Sequence, residues 1–203
     1  HGYSTTRIVP FVVVALVGIY LLHRQAQGVR KQTMIYLALL AVMSAIVFLP
    51  LMRYALENPD MFSYRAMTRL GSVERELPGP AWLIFLQNTW NSLRMMNWDN
   101  GNIWVHSLPG RPALDYISAA LLLIGAASVL VRYLRQRHWV DLALLLSVPL
   151  LMLPSILSLA FPDENPSLNR SGAAMIPVFV LVGYAADGIW KAFTRQKTLP
   201  WRG

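Results

Sequence analysis

The sequence predicts an all-α membrane protein with about five transmembrane helices and an interfacial amphipathic helix in a long outer loop. Of its 203 residues, 55% are hydrophobic and 14% are charged, whereas a soluble domain usually carries about 25% charged residues. The hydrophobic residues form five blocks without Asp, Glu, Lys or Arg, at residues 8–22, 32–52, 116–131, 142–162 and 171–186. Because a charge at the bilayer centre costs about 2.5–3.5 kcal/mol, such blocks are typical of helices that cross a membrane.

Five spans follow from these blocks, and together they form a single polytopic membrane domain, residues 1–203. We place the spans at residues 7–22, 33–54, 113–133, 140–161 and 172–190, numbered 1 to 5. About 20 residues cross the hydrocarbon layer, so the shorter blocks extend into anchoring flanks such as Arg132 and Tyr133. Five buried helices of a soluble protein are the alternative. We reject it because 203 residues cannot supply the surface needed to cover them.

Prolines and small residues predict the shape and packing of two spans. Pro149 and Pro154 are expected to kink span 4 and Pro177 to bend span 5, because proline removes a backbone donor. Small residues let helices approach closely, so we expect span 5 to pack inside the bundle. Its small residues are Gly172, Ala173, Ala174, Gly183, Ala185, Ala186 and Gly188.

The basic residues predict which ends of the spans face the cytoplasm. On one side, called inner here, ten basic residues accompany only Asp141 and Asp187, whereas eight basic and eight acidic residues cancel on the other, outer side. The ten inner basic residues are Arg24, Arg30, Lys31, Arg132, Arg135, Arg137, Lys191, Arg195, Lys197 and Arg202. This positive-inside pattern predicts a multi-pass plasma-membrane protein with a cytoplasmic C-terminus and an outer loop at about residues 55–112. It also places the N-terminus outside, so we expect at least one further helix before His1.

The outer loop contains a predicted helix after the break at Pro78-Gly79-Pro80. Apolar side chains recur at helical spacing on one side, and Gln87, Asn91 and Arg94 occupy another. The apolar residues are Trp82, Leu86, Trp90 and Leu93. A helix lying in the outer interface fits this pattern, and an ordinary loop helix packed on the bundle fits it equally well.

A polar run, residues 97–102, precedes span 3 and offers candidate functional residues. Asp99 or His106 is a candidate proton acceptor, and the carboxylate is a candidate ligand for a metal or a sugar hydroxyl. The alternative, which the spacing favours, is an Asx-type turn followed by a rigid Pro-Gly entry into span 3.

The loop between spans 4 and 5 contains Asp163, Glu164 and Arg170. The two acidic residues are candidates for a base or a metal site, although solvated carboxylates are the favoured interpretation. Arg170 stands at the mouth of span 5, where its guanidinium fork is suited to binding a phosphate. A snorkelling arginine at the headgroups is the alternative.

Several function classes are excluded by what the sequence lacks. There is no cysteine, so neither a disulfide nor a thiolate metal site is possible. Nucleotide-binding loops of the GxxxxGK[ST] or strand-borne GxGxxG type, HExxH and a nucleophile elbow are all absent from the sequence. Nucleic acid is not an expected partner, because the positive charge is confined to short inner connections.

Three segments in order resemble the bacterial glycosyltransferase family 39, relatives of the dolichyl-phosphate-mannose-protein mannosyltransferases with the GT-C fold. NWDNGN at 97–102 and HSLPGRPALD at 106–115 resemble a family loop of the form GD…HNLPGRPLLD. Asp99-Asn100 stands where that family has Gly-Asp. RYALENPDMFSYRA at 53–66 and NRSGAAMIP at 169–177 resemble segments beside an earlier and a later helix. Together the similarity covers about residues 49–190.

The resemblance implies a hexosyltransferase that moves a sugar from a polyprenyl-phosphate carrier to an acceptor outside the cytoplasm. It implies that the catalytic carboxylate lies on a first outer loop, which we expect upstream of His1. Arg170 is then expected to contact the carrier phosphate, with Asp99, His106 and Arg111 on the acceptor side. The lipid-linked sugar is a substrate and membrane lipid is the other partner; no cofactor and no metal ligand is predicted.

Two other classes of protein are kept as alternatives. A polytopic transporter predicts ionisable residues within the spans and paired broken helices, and the kinked span 4 fits that class. A non-catalytic membrane assembly subunit is the other alternative.

The charge pattern predicts that a reporter fused after Trp201 stays in the cytoplasm. An alkaline phosphatase fusion at that point is therefore expected to be inactive and a fluorescent-protein fusion to be bright, with the protein in the membrane pellet. Export of the reporter, or recovery of the chain in the soluble fraction, contradicts the predicted topology.

Overall fold

The computed structural model describes residues 8–70, 75–105 and 107–196, and this part of the chain is helical, with no strand. Short 3-10 turns connect some of the helices, at Arg24–Ala26, Pro162–Glu164 and Gly172–Ala174. The seven α-helices of these ranges are α1 (Val9–Leu22), α2 (Arg30–Glu57), α3 (Pro59–Leu70), α4 (Ala81–Arg94), α5 (Tyr116–Gln136), α6 (Trp139–Ile156) and α7 (Met175–Gln196).

Four helical segments in this part of the chain are long and apolar enough to cross a membrane, which confirms the predicted all-α membrane fold. They are Arg30–Glu57, Tyr116–Gln136, Trp139–Ile156 and Gly172–Thr194. The fifth apolar helix, α1, has 14 residues and is about 21 Å long at 1.5 Å per residue. That is shorter than the roughly 30 Å hydrocarbon layer. Arg7, the predicted start of span 1, lies outside the described residues.

Several helix ends differ from the predicted span boundaries, and two of these differences have a local cause. Helix α5 begins at Tyr116, not at residue 113, because the Asp115 carboxylate caps it by accepting the backbone N–H groups of Ile117 and Ser118 at 3.0 Å. Helix α6 ends at Ile156, two residues after Pro154 and five residues before the predicted end. An uncharged block marks where lipid is tolerated, but it does not mark where the backbone leaves the helix.

The prolines occupy different places in their helices. Pro149 and Pro154 lie inside α6, where each removes a helical hydrogen bond. Pro177 is the third residue of α7, where a helix has no partner for its N–H groups in any case. Pro177 therefore interrupts no helical hydrogen bond, and the physical reason for the predicted bend in span 5 is absent.

Helix α6 occupies the centre of the bundle and packs against α1, α4, α5 and α7, while α7 packs most extensively against α5. The α5–α7 contact is close, because a Cβ atom on Gly125 would lie 2.2 Å from the carbonyl oxygen of Leu181. Within α7, Leu181 and Ala185 are buried, but a Cβ atom added to Gly183 or Gly188 would meet nothing within 4 Å. Helix α7 thus packs along one face against α5 and α6, while Ile176, Phe179 and Val180 are exposed, so span 5 is not enclosed by the bundle. The glycine that permits the close approach belongs to α5.

Helix α2 stands apart from this bundle and packs against α3, the next helix in the chain. The ring of Phe48 in α2 lies 6.4 Å from the ring of Phe62 in α3, measured between ring centres. Within α2, Arg53 pairs with Glu57 at 2.8 Å. None of the 28 residues of α2 is buried. At about 42 Å it is long enough to cross the bilayer with a tilt, so lipid is the environment in which its apolar surface is stable. Helix α3 lies in the predicted outer loop and was not predicted.

The close contact at Gly125 predicts that Gly125→Ala destabilises the protein by about 1–3 kcal/mol, since the added methyl group forces α5 and α7 apart. Unfolding in detergent, followed by circular dichroism, measures this change. Gly183→Ala is the matched control and should be neutral or slightly stabilising, because its methyl group enters open space. Equal stability of the two variants contradicts the close α5–α7 packing.

Candidate functional site

Helix α4 packs against the outer end of α6 through a face that contains two polar residues. Ile84, Asn88 and Ser92 are buried against the bundle, at one turn from each other. The apolar residues of the predicted amphipathic pattern remain exposed: Trp82, Leu86, Trp90 and Leu93. Both sequence interpretations therefore hold in part, because α4 packs on the bundle and also presents a Trp- and Leu-rich surface of the kind that suits the membrane interface.

Asn88 joins α4 to the end of α6. Its buried side-chain amide donates to the carbonyl oxygens of Ile156 at 2.9 Å and Ser158 at 3.4 Å. The Ser158 carbonyl also accepts the backbone N–H of Phe161 at 3.3 Å, whereas the Ile156 carbonyl, at the end of α6, has no backbone donor among the described residues. The hydrogen bond from Asn88 therefore satisfies an Ile156 carbonyl that would otherwise be unpaired in an apolar environment.

A second amide, Asn165, ties the loop after α6 to the same place. Its Nδ2 group donates to the Ser92 hydroxyl at 2.9 Å and to the Ser155 hydroxyl at 3.2 Å, and the Ser167 N–H donates to Ser155 Oγ at 2.9 Å. All four residues are buried, and the Asn165–Pro166 peptide bond is cis. The result is a polar core that connects α4, α6 and the following loop.

Arg170 lies at the edge of this polar core. Its guanidinium group donates to the Ser158 hydroxyl and forms an ion pair with Glu164, and both charged side chains are mostly shielded from solvent. Asp163 pairs with Arg75 at 3.0 Å on the surface. The favoured prediction of solvated carboxylates is therefore wrong for Glu164, because the loop folds back and brings its carboxylate to Arg170.

Three buried acceptor atoms of this region have no hydrogen-bond partner among the described residues: Asn100 Oδ1, Asn165 Oδ1 and Ser171 Oγ. An unpaired buried polar atom costs about 1–3 kcal/mol, and a bound water or ligand hydroxyl is the usual explanation. Two of these atoms, on Asn165 and Ser171, belong to residues close to Arg170 in sequence and have unused hydrogen-bonding capacity. Within the described ranges, no group of three or more His, Asp or Glu side chains could hold a metal ion.

Asp99 forms the Asx-type turn that the spacing favours. Its carboxylate accepts the N–H of Gly101 at 2.9 Å and lies 3.6 Å from the Arg94 guanidinium group. Arg111 contributes its backbone carbonyl, which accepts the Asn100 N–H at 2.8 Å, and its side chain is exposed. His106 lies outside the described residues.

The two outer loops meet where Gly101 packs against Pro166. A Cβ atom on Gly101 would lie 3.0 Å from the proline ring, and the φ of 85° at this residue also favours glycine. The structure thus brings the loop that contains Asp99 and Arg111 against the loop that leads to Arg170.

The cap of α5 also affects the acidity of Asp115. Hydrogen bonds from the Ser118 side chain and backbone, and from the Ile117 N–H, hold the pKa of the Asp115 carboxyl below its ordinary value of 3.8.

An apolar cavity of about 320 Å³ lies between α1, α4 and α6. Its lining is almost wholly hydrophobic: Ala15, Ile19, Phe85, Thr89, Leu146, Pro149, Leu150, Leu153 and Ile156. Ile156 is the residue whose carbonyl accepts from Asn88, and Ser158, two residues later, binds Arg170. One end of the cavity therefore adjoins the polar core.

A separate ion pair connects the inner ends of the helices. Arg132 of α5 donates to the Asp141 carboxylate at 2.9 Å and to the Tyr184 hydroxyl at 2.9 Å, which joins α5, α6 and α7. Asp141 is 2% exposed. The sequence places both charges on the inner side and predicts no ion pair between them, because a charge near the end of an apolar block does not indicate whether a neighbouring helix will pair with it.

Four residues that build the outer polar core were not predicted from the sequence: Asn88, Ser92, Ser155 and Asn165. The available signal was the occurrence of small polar residues within apolar stretches, where a buried group needs a partner. No protein-family model, no curated protein and no solved structure matches the chain. The case for a function therefore depends on the geometry of this region.

The bonds made by Asn88 predict that Asn88→Leu, similar in volume, destabilises the protein by about 1–3 kcal/mol, because the buried Ile156 carbonyl loses its donor. Gln87→Leu, on the exposed side of the same helix, is the matched control and should change stability by less than about 0.5 kcal/mol. Urea or detergent unfolding measures both. A loss no larger for Asn88→Leu than for Gln87→Leu contradicts the assigned role.

Proposed function

We propose that the chain is part of a membrane glycosyltransferase that moves a sugar from a polyprenyl-phosphate carrier to an acceptor on the outer side of the plasma membrane. The observation that carries the proposal is an apolar cavity lined by Ile156, whose carbonyl shares the Asn88 amide with Ser158, the residue that the Arg170 guanidinium group contacts. An isoprenoid carrier has a long apolar tail and an anionic phosphate, and it needs a site that combines both environments. The sequence resemblance to the family 39 transferases supports the same substrate class.

The cavity fits the tail of the carrier. Its lining comes from three helices and is apolar, with Thr89 as its polar contributor. The Thr89 hydroxyl donates to the Phe85 carbonyl at 2.8 Å, within its own helix, and so offers the cavity little polarity. A hydrocarbon chain is favoured in such a cavity, because it buries apolar surface at about 25 cal/mol per Å².

Arg170 supplies the charge for the phosphate. In the structure, the Glu164 carboxylate pairs with the Arg170 guanidinium group, so that the pair has no net charge. A phosphate can replace that carboxylate, since the guanidinium fork binds either group through two parallel hydrogen bonds. The Ser158 hydroxyl, which Arg170 already contacts, is a further donor to a phosphate oxygen.

The proposed reaction breaks the bond between the anomeric carbon and the phosphate oxygen and forms a bond from that carbon to an acceptor hydroxyl. The electron pair of the broken bond passes to the phosphate, and the proton of the hydroxyl passes to a base. Arg170 would stabilise the charge that develops on the leaving phosphate. Asp99 and Arg111, on the adjoining loop, belong to the acceptor side of this proposal, together with His106.

A transporter is the second candidate, and a specific observation favours it. Arg132 and Asp141 form an ion pair within helices α5 and α6, and ionisable residues within spanning helices mark ion and substrate pathways. The pair lies at the inner helix ends, however, and Arg132 remains 35% exposed. The apolar cavity lies elsewhere and is almost without polar lining, which favours the transferase.

The proposal predicts opposite effects for the two partners of the outer ion pair. Arg170→Ala should weaken binding of a polyprenyl-phosphate sugar about 10- to 100-fold, because a charge-assisted hydrogen bond contributes about 1.5–3 kcal/mol. Glu164→Gln should strengthen binding several-fold, because it removes the carboxylate that competes with the phosphate. Binding to the complete enzyme in nanodiscs measures both effects, with turnover as the second readout.

Arg53→Ala is the matched control for charge, since Arg53 pairs with Glu57 on the surface of α2, and it should leave binding unchanged. A purely structural ion pair would instead make Arg170→Ala and Glu164→Gln equally destabilising and shift donor binding in the same direction. That outcome, or unchanged donor binding in Arg170→Ala, contradicts the proposed phosphate site.

A further inference from the structure

A pocket of about 450 Å³ opens on the inner side, between the end of α1 and the end of α5. We call this region the inner pocket. The described residues that line it include two arginines, a histidine and two amides, and no acidic residue: Leu22, His23, Arg24, Gln25, Gln136 and Arg137. The two connections that line it contact each other directly, because Gln25 Nε2 donates to the Arg137 carbonyl oxygen at 3.3 Å.

The two arginines of the inner pocket have no carboxylate partner among the described residues. Two other basic residues of the inner side are paired, Arg132 with Asp141 and Lys191 with Asp187. In the same described ranges, Arg24 and Arg137 make no ion pair, and the Arg137 guanidinium group instead lies 5.4 Å from the centre of the Tyr133 ring. The pocket thus holds two positive charges that remain available to an anion.

The backbone at Arg137 is held in an uncommon conformation. Arg137 is the residue that ends α5, with φ 53° and ψ 39°, in the left-handed region that glycine or asparagine normally occupies at this position. Its N–H donates to the Tyr133 carbonyl at 2.7 Å. A left-handed non-glycine residue costs about 1–2 kcal/mol, and residues in such conformations cluster at ligand-binding sites. Glycine would avoid this cost, so an arginine here suggests that the guanidinium group itself serves the pocket.

The position of the pocket favours a lipid over a small soluble anion. Leu22, which lines it, is 83% exposed and ends the apolar helix α1. The rings of Tyr20 and Trp139 meet at 5.0 Å one turn deeper in the membrane, as expected for aromatic residues at headgroup level. His23 is fixed beside them, because its Nδ1 atom lies 2.7 Å from the Ile19 carbonyl oxygen. Apolar surface therefore begins directly at the rim of a positively charged pocket.

We propose that the inner pocket binds the phosphate headgroup of an anionic phospholipid from the inner leaflet. Arg24 and Arg137 pair with the phosphate, Gln25 and Gln136 are donors or acceptors for headgroup hydroxyls, and the acyl chains lie along α1 beyond Leu22. Basic pockets between transmembrane helices on the inner side bind lipid headgroups in this way. The bound lipid would join the α1 connection to the end of α5, where one side-chain hydrogen bond links them in the structure.

The experiment uses the full chain in detergent with dioleoylphosphatidylglycerol added, and native mass spectrometry counts the retained lipid. The unmodified protein should retain one tightly held phosphatidylglycerol and no phosphatidylcholine. Arg24→Gln and Arg137→Gly should each weaken retention about fivefold, as expected for the loss of one basic residue near a membrane surface. Arg137→Gly should keep or raise the melting temperature, since glycine adopts the left-handed conformation without strain.

Arg135→Gln is the matched control, because Arg135 is an exposed basic residue on the same side that does not line the pocket; its lipid retention should equal that of the unmodified protein. The proposal is overturned if Arg24→Gln and Arg137→Gly retain the lipid as well as Arg135→Gln does. Equal retention of phosphatidylcholine overturns it as well. Displacement of phosphatidylglycerol by glycerol 1-phosphate at the same concentration also overturns the proposal, because the pocket would then be a site for a soluble phosphate and not for a lipid.

Discussion

The structure depends on one constraint: within a membrane, every backbone N–H and C=O group needs a partner from the protein. Helix α6 has the greatest need of such partners. It contains two prolines, and it ends at Ile156, inside an uncharged stretch that continues to residue 162. The backbone N–H groups of Leu157 and Ser158 pair with the Leu153 and Ser155 carbonyls, while the Ile156 carbonyl has no backbone donor among the described residues and accepts the Asn88 amide. The Asn165 amide donates to the Ser155 hydroxyl beside it. Helix α4 is therefore attached to the bundle by hydrogen bonds, while its aromatic side faces outward.

The same constraint explains the placement of the charged residues. Arg170 and Glu164 lie at the outer end of the bundle, and Arg132 and Asp141 lie at the inner end. A charge that is removed from water without a partner costs several kcal/mol, so each buried charge is matched by one of opposite sign. The two arginines of the inner pocket are exposed, so water can solvate them without a carboxylate partner. The uncommon feature there is the left-handed backbone at Arg137, a conformation that clusters at binding sites.

The proposed functions use the two ends of the bundle differently. At the outer end an apolar cavity is linked through Asn88 and Ser158 to Arg170, which suits a carrier that has an apolar tail and an anionic phosphate. At the inner end, two arginines without acidic partners among the described residues suit a lipid that remains bound. Helix α2 lies outside both arrangements, since its apolar surface is exposed along its whole length and contacts α3.

By itself, the sequence determined the fold class, the five apolar segments and the helix α4, because hydrophobic periodicity and charge-free length follow from local composition. That α1 is shorter than the other four came from the structure. It also determined the Asx turn at Asp99, whose hydrogen bond spans two residues. The tertiary structure decided the rest. The early end of α6, the close approach at Gly125, the pairing of Glu164 with Arg170 and the polar core around Asn88 and Asn165 all depend on which residues from distant segments become neighbours. A charge or an amide in the sequence has no intrinsic partner, and only the packing of helices decides whether it faces lipid, water or a group of opposite polarity.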